Sequence, residues 1–167
     1  GGTYTMTDTN ATTTGSLRIL SGTTTLPSGV LEVRQSFVNS DTFTHASGTI
    51  KMTGTTTGYF VTAGNSQFAN LEFNNAGGGW TMTGNATTSG TFSLLAGTSY
   101  TQTSGTTLEV RGTFTNLVGG AATTWTGSRL AINNGSANYT INSKTQGGDL
   151  YNILAIGPST QLRSWNS

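Results

Sequence analysis

Apolar residues come in short bursts along this chain. The bursts at 17–20, 31–33, 92–95, 108–110 and 130–132 hold only a few apolar residues each, and Gly-Thr or Ser-Gly steps separate them every seven to ten residues. Inside a burst, apolar and polar positions alternate, as in Leu31-Glu32-Val33-Arg34. Residues i and i+2 of a strand share a face, so Leu31 and Val33 are predicted to point inward and Glu32 and Arg34 outward. No window of helical length carries the 3.6-residue apolar period. Thr, Val, Ile, Tyr and Phe suit a pleated, half-buried surface. Gly and Asn tolerate the backbone of turns. The pattern predicts an all-β chain of many short strands, with Ile19, Leu31, Val33, Phe92, Leu94, Leu108 and Val110 in its core.

The bursts recur. Gly2-Thr3-Tyr4-Thr5-Met6-Thr7 aligns with 78–83, where Trp80 replaces Tyr4. Asn10-Ala11-Thr12-Thr13 aligns with Asn85-Ala86-Thr87-Thr88, and Leu31-Glu32-Val33-Arg34 with Leu108-Glu109-Val110-Arg111. Phe37 and Asn39 then match Phe114 and Asn116, Tyr59 matches Tyr139, and Asn70 matches Asn152. The chain thus reads as one continuous segment, 1–167, of two repeats of about 76–82 residues. They span 1–76 and 77–157, and a third copy begins at 158–167.

Repeats of this length could be tandem β-sandwiches or stacked coils of a solenoid. Sandwiches need a substantial two-sheet core of large alternating apolar residues. The short bursts favour a parallel β-solenoid, with coils of roughly 20–25 residues that each bury a thin inner face. Repeat arrays cover their end faces with caps. Neither end of this chain has a cap-like composition, so the expected partners are further repeats or identical subunits stacked head to tail.

The segment Ser-Gly-Thr-Thr-Leu-Glu-Val-Arg-Gly-Thr-Phe-Thr-Asn at 104–116, with Phe68-Ala69-Asn70-Leu71-Glu72-Phe73-Asn74-Asn75 before it, resembles the β-strand repeats of large bacterial surface proteins. These are the filamentous-haemagglutinin and autotransporter-passenger type. The resemblance implies a right-handed parallel β-helix, export to the cell surface, and a role in adhesion or scaffolding. It implies no catalytic residue.

Composition narrows the function classes. Only 33% of residues are hydrophobic and 8% charged, while Gly alone contributes 24 residues. The net charge is +1, from seven basic and six acidic residues, and the basic ones are spread evenly rather than clustered. Nothing would neutralise a phosphate backbone, so no nucleic-acid partner is expected. No apolar run is long enough to span a membrane. With no cysteine, a disulfide framework and a Cys-based metal site are excluded. A low-charge, Thr- and Gly-rich chain fits an extracellular or cell-surface setting.

Candidate chemistry is sparse. The lone histidine, His45, lies near Asp41, but no nucleophile motif accompanies them. The acids Asp8, Glu32, Asp41, Glu72, Glu109 and Asp149 are far apart in sequence. Coil stacking could still set Glu32 above Glu72, as a glycan-active β-helix enzyme would need. The expectation is no enzyme, no cofactor and no metal. Candidate surface contacts are Trp125, which has no aromatic counterpart in the repeat alignment, and the pairs Glu32/Arg34 and Glu109/Arg111, which could form a charged docking stripe. Sequons at Asn10, Asn85, Asn134 and Asn138 are candidate glycosylation sites. Thr-x-Thr steps recur at 3/5/7/9, 42/44, 55/57, 81/83, 101/103 and 113/115. Regular Thr arrays on a solenoid face bind ice in some families. Irregular spacing between these pairs predicts instead that the threonines serve strand propensity.

Together these readings predict an extracellular structural protein, a rod- or filament-forming segment of a longer or polymerised surface protein. The alternatives are an adhesin that binds surface glycans and, more remotely, a polysaccharide-active enzyme.

Overall fold

A computed structural model describes residues 1–135, 139–143, 151–158, 160 and 162–166. Strands follow one another around a coil. The first coil holds β1 (Thr3–Thr5), β2 (Ala11–Thr13) and β3 (Leu17–Ile19). The second holds β4 (Thr23–Thr25), β5 (Val30–Val33) and β6 (Phe37–Asn39), and the third β7 (Thr42–Thr44), β8 (Thr49–Met52) and β9 (Tyr59–Thr62). Then come β10 (Asn70–Asn74) and β11 (Gly79–Met82), followed by β12 (Ala86–Thr88), β13 (Phe92–Ala96) and β14 (Ser99–Gln102). The coils continue through β15 (Thr107–Val110), β16 (Phe114–Asn116) and β17 (Thr123–Thr124), with one 3-10 turn at Gly120–Ala122. β18 (Arg129–Ile132), β19 (Tyr139–Ser143), β20 (Ile153–Ile156) and β21 (Leu162–Asn166) complete the described strands.

Each strand pairs with its counterpart one coil away, and every strand pair is parallel. The result is a parallel β-solenoid with three sides. Side one runs β1-β4-β7 and resumes as β12-β15-β18-β20. Between the two stretches Phe68 bridges to Thr88, and its ring lies 5.2 Å from Phe43 of β7. Side two is one sheet of eight strands, β2-β5-β8-β10-β13-β16-β19-β21, and side three is β3-β6-β9-β11-β14-β17. Tandem sandwiches would have required antiparallel pairs.

The core is a set of columns along the axis. On side two, Ala11, Leu31, Ile50, Leu71, Phe92 and Phe114 stand in register. Rings fill the interior: Phe37, Phe43 and Phe68 make one cluster, and Phe73, Trp80, Phe92, Tyr100, Phe114, Trp125 and Tyr151 make another. All seven core residues expected from the alternation are buried. Two glycines show why the corners need that residue. Gly22 has φ +85, and a Cβ there would sit 2.1 Å from the Gly2 carbonyl oxygen. A Cβ on Gly78 would meet the Trp80 ring at 2.2 Å.

The sequence repeat is out of phase with the coil. Strands β1, β2, β3, β5 and β6 correspond in sequence to β11, β12, β13, β15 and β16. With the Phe68 bridge counted as the strand position it fills, each match advances eleven positions at three per coil, or three coils and two-thirds. Equivalent residues therefore keep their inward or outward direction but move to another side: β1 is on side one and β11 on side three, β5 on side two and β15 on side one. Local chemistry survives the move. Asn39 and Asn116 are both buried at corners; Asn39 Oδ1 accepts from the Asp41 N–H (3.1 Å) and Asn116 Oδ1 from the Gly119 N–H (3.2 Å).

Candidate functional site

Charge is sorted by side. On side two the outward column reads Thr12, Glu32, Lys51, Glu72 and Ser93. Glu32 accepts from Arg34 Nε at 3.1 Å and from the Thr53 hydroxyl at 2.9 Å. The Thr53 bond first, then the Arg34 bond, holds its carboxyl below the ordinary value. Lys51 stands between Glu32 and Glu72 in the ladder and bonds Glu72 at 3.4 Å. The column is thus an alternation of opposite charges, and the two carboxylates do not meet.

Glu109 and Arg111 repeat the first pair on side one. Glu109 accepts from Arg111 Nε at 2.9 Å and from Asn133 Nδ2 at 3.2 Å; the Arg111 bond leads in lowering the Glu109 carboxyl. The expected charged docking stripe is corrected here. Glu32/Arg34 and Glu109/Arg111 face different directions, because the repeat advances by a non-integral number of coils.

Trp125 is a second correction. It is 2% exposed rather than a surface contact, with Tyr100, Phe114 and Tyr151 at ring distances of 5.3, 6.2 and 5.1 Å. The sequence held a signal for this. Thr124-Trp125-Thr126 copies the pattern of Thr42-Phe43-Thr44, whose Phe43 is also buried.

The sequon asparagines Asn10 and Asn85 are exposed at corresponding corners. Their side-chain carbonyls accept from the Val30 and Thr107 N–H groups at 2.7 and 2.8 Å, capping the start of the next coil's strand. Asn134 is half-buried and its Oδ1 accepts from the Thr160 hydroxyl at 3.2 Å. Asn138 lies outside the described residues. Asp41 accepts from the Gly22 N–H at 2.6 Å, and His45 Nδ1 accepts from the Ser47 N–H at 3.4 Å, so both serve corners. The chain matches no family model, no curated protein and no solved structure.

Side three differs from the others. Its two outward columns read Phe60, Thr81, Thr101, Thr124 and Arg18, Val38, Thr62, Thr83, Thr103. Val61, Trp80, Met82, Tyr100, Gln102 and Trp125 alternate with them and are buried. Among the described residues the outward positions from β6 to β17 carry no charge. The irregular spacing of these threonines in sequence conceals this array. Extra residues are taken up at the corners, while ladder bonds such as Thr103 N–H to the Met82 carbonyl (3.2 Å) keep the strands aligned.

Proposed function

We propose that this chain is a segment of an extracellular structural rod, in which coils of one polypeptide or of stacked identical subunits form a continuous shaft. The observation that carries this reading is the eight-strand parallel sheet of side two, backed by a column of buried residues. Each coil adds about 4.8 Å of axial length. One sequence repeat therefore advances the shaft by roughly 18 Å. A parallel strand edge is a template for pairing with a further coil. A heterologous, head-to-tail contact of that kind propagates without closing. The filamentous-haemagglutinin-like setting at a bacterial surface belongs to this proposal and rests on the strand-repeat resemblance.

The test is to join one, two and three copies of 1–157 in tandem and measure length by small-angle scattering and electron microscopy. Rods of constant width that lengthen by about 36 Å per two-repeat copy are expected. Beads of unchanged individual size on flexible linkers would refute the shaft.

A further inference from the structure

We infer that the threonine face of side three binds ice. Three features carry the inference, and none depends on the rod assignment. The first is two-dimensional order. Neighbouring strands are about 4.8 Å apart, and residues i and i+2 about 6.7 Å apart. Thr81/Thr83 and Thr101/Thr103 occupy both columns of that lattice, flanked by Thr62 and Thr124, and no bulge interrupts the pairing of β9, β11, β14 and β17. Both spacings are close to repeats of the oxygen lattice of hexagonal ice. A solute binding site has no use for a lattice, whereas a crystalline surface does.

The second feature is pre-organisation. Threonine is stiff at χ1. On this face its hydroxyls are tied further: Thr62 and Thr83 share a hydrogen bond, and the Thr103 hydroxyl donates to the Met82 carbonyl at 2.8 Å. The side chains are held before any ligand arrives, so little rotamer entropy remains to be lost on binding. Each tied threonine keeps a methyl group and oxygen lone pairs, a mixture that water can cage and hydrogen-bond at once.

The third feature is the absence of competing charge from β6 to β17; among the described residues Arg18, on β3 at the far end of one column, is the one charge that points outward on side three. The ion pairs Glu32–Arg34 and Lys51–Glu72 are on side two, and Glu109–Arg111 is on side one. Charged groups hold strongly oriented hydration that does not fit an ice lattice. Phe60 is the one aromatic residue in the two columns, so stacking platforms for a sugar chain are lacking there. The first repeat builds the corresponding lattice on side one, where Thr3, Thr23, Thr42 and Thr5, Thr25, Thr44 stand in register on β1, β4 and β7.

The experiment uses the full chain, fluorescently labelled, with three readouts: uptake into a growing ice hemisphere, inhibition of ice recrystallisation, and sedimentation. The unaltered chain should enter the ice and slow recrystallisation. Thr101→Lys, at the centre of the lattice, made together with Thr23→Lys on side one, should reduce both effects at least tenfold. Thr12→Lys, outward on side two beside Glu32, should leave them unchanged, with equal circular dichroism and melting in all three proteins. Exclusion of the unaltered chain from ice would overturn the inference. So would equal uptake of the chain that carries both Thr23→Lys and Thr101→Lys. If the chain stays out of ice but forms a dimer that Thr101→Lys abolishes, the face belongs to a second copy and the inference fails.

Discussion

Replacing Phe92 by alanine tests the axial core most directly. Phe92 is fully buried on β13. It stands in register between Leu71 and Phe114. Its ring stacks on Phe114 at 5.7 Å with an interplanar angle of 8°, and it meets Phe73 at 5.6 Å and Tyr100 at 5.8 Å. Removing a buried phenylalanine costs about 3–5 kcal/mol, and the upper half of that range applies where the neighbours cannot collapse into the space. Here they cannot readily do so, because Leu71 and Phe73 are held in the strand ladder on both sides and Phe114 on the β13 side. For a chain of this size the loss corresponds to a melting shift of roughly 6–20 °C. Phe60→Ala is the matched control, since Phe60 is 49% exposed and points outward; it should shift stability by about 1 kcal/mol or less. Stability in a solenoid is close to a sum of nearest-neighbour terms, so the damage should be local. Hydrogen exchange should show protection lost first on β10, β13 and β16, with β4 and β5 retaining theirs longer. Equal losses for Phe92→Ala and Phe60→Ala, or uniform loss of protection along the chain, would refute the columnar core.

Leu108→Asp places a carboxylate at a fully buried position in the column Ala86, Leu108, Leu130, and should cost at least about 4 kcal/mol; a soluble variant with unchanged melting counts against the assignment. Trp125→Phe should be mild, within about 2 kcal/mol, because it trades some packing for removal of the indole N–H, which is buried without a hydrogen-bond partner. A chemical-denaturation midpoint that moves by more than twice the equivalent of that amount would show that the indole is held in some other way. Acid should weaken the fold through Glu32 and Glu109. Their folded carboxyls titrate below the ordinary 4.5, so their contribution is complete above that pH and is lost as pH falls through the lowered values. Melting curves between pH 2 and pH 7 should show this, and the double change Glu32→Gln, Glu109→Gln should flatten the acid limb. In base the sign reverses. Burial raises the Tyr100 phenol, so stability is intact below about pH 10 and falls above it, a loss that Tyr100→Phe should lessen.

The sequence by itself determined which way side chains point. Alternation in Leu31-Glu32-Val33-Arg34 and its copy at 108–111 places the leucines and valines in the core, because direction within a strand has period two whatever the strand packs against. Short bursts between Gly-rich corners likewise made a solenoid preferable to sandwiches. What the sequence could not supply was the phase between repeat and coil. Coil length varies at the corners, so counting residues does not reveal which strands stack; only the inter-coil hydrogen bonds set that register. This one unknown separated the two Glu–Arg pairs onto different sides and aligned threonines whose sequence spacing looked irregular. It also buried Trp125, whose neighbours Tyr100, Phe114 and Tyr151 come from other strands and coils. Inward or outward is a local property of the chain, whereas the company a residue keeps on its face is decided by how the coils close.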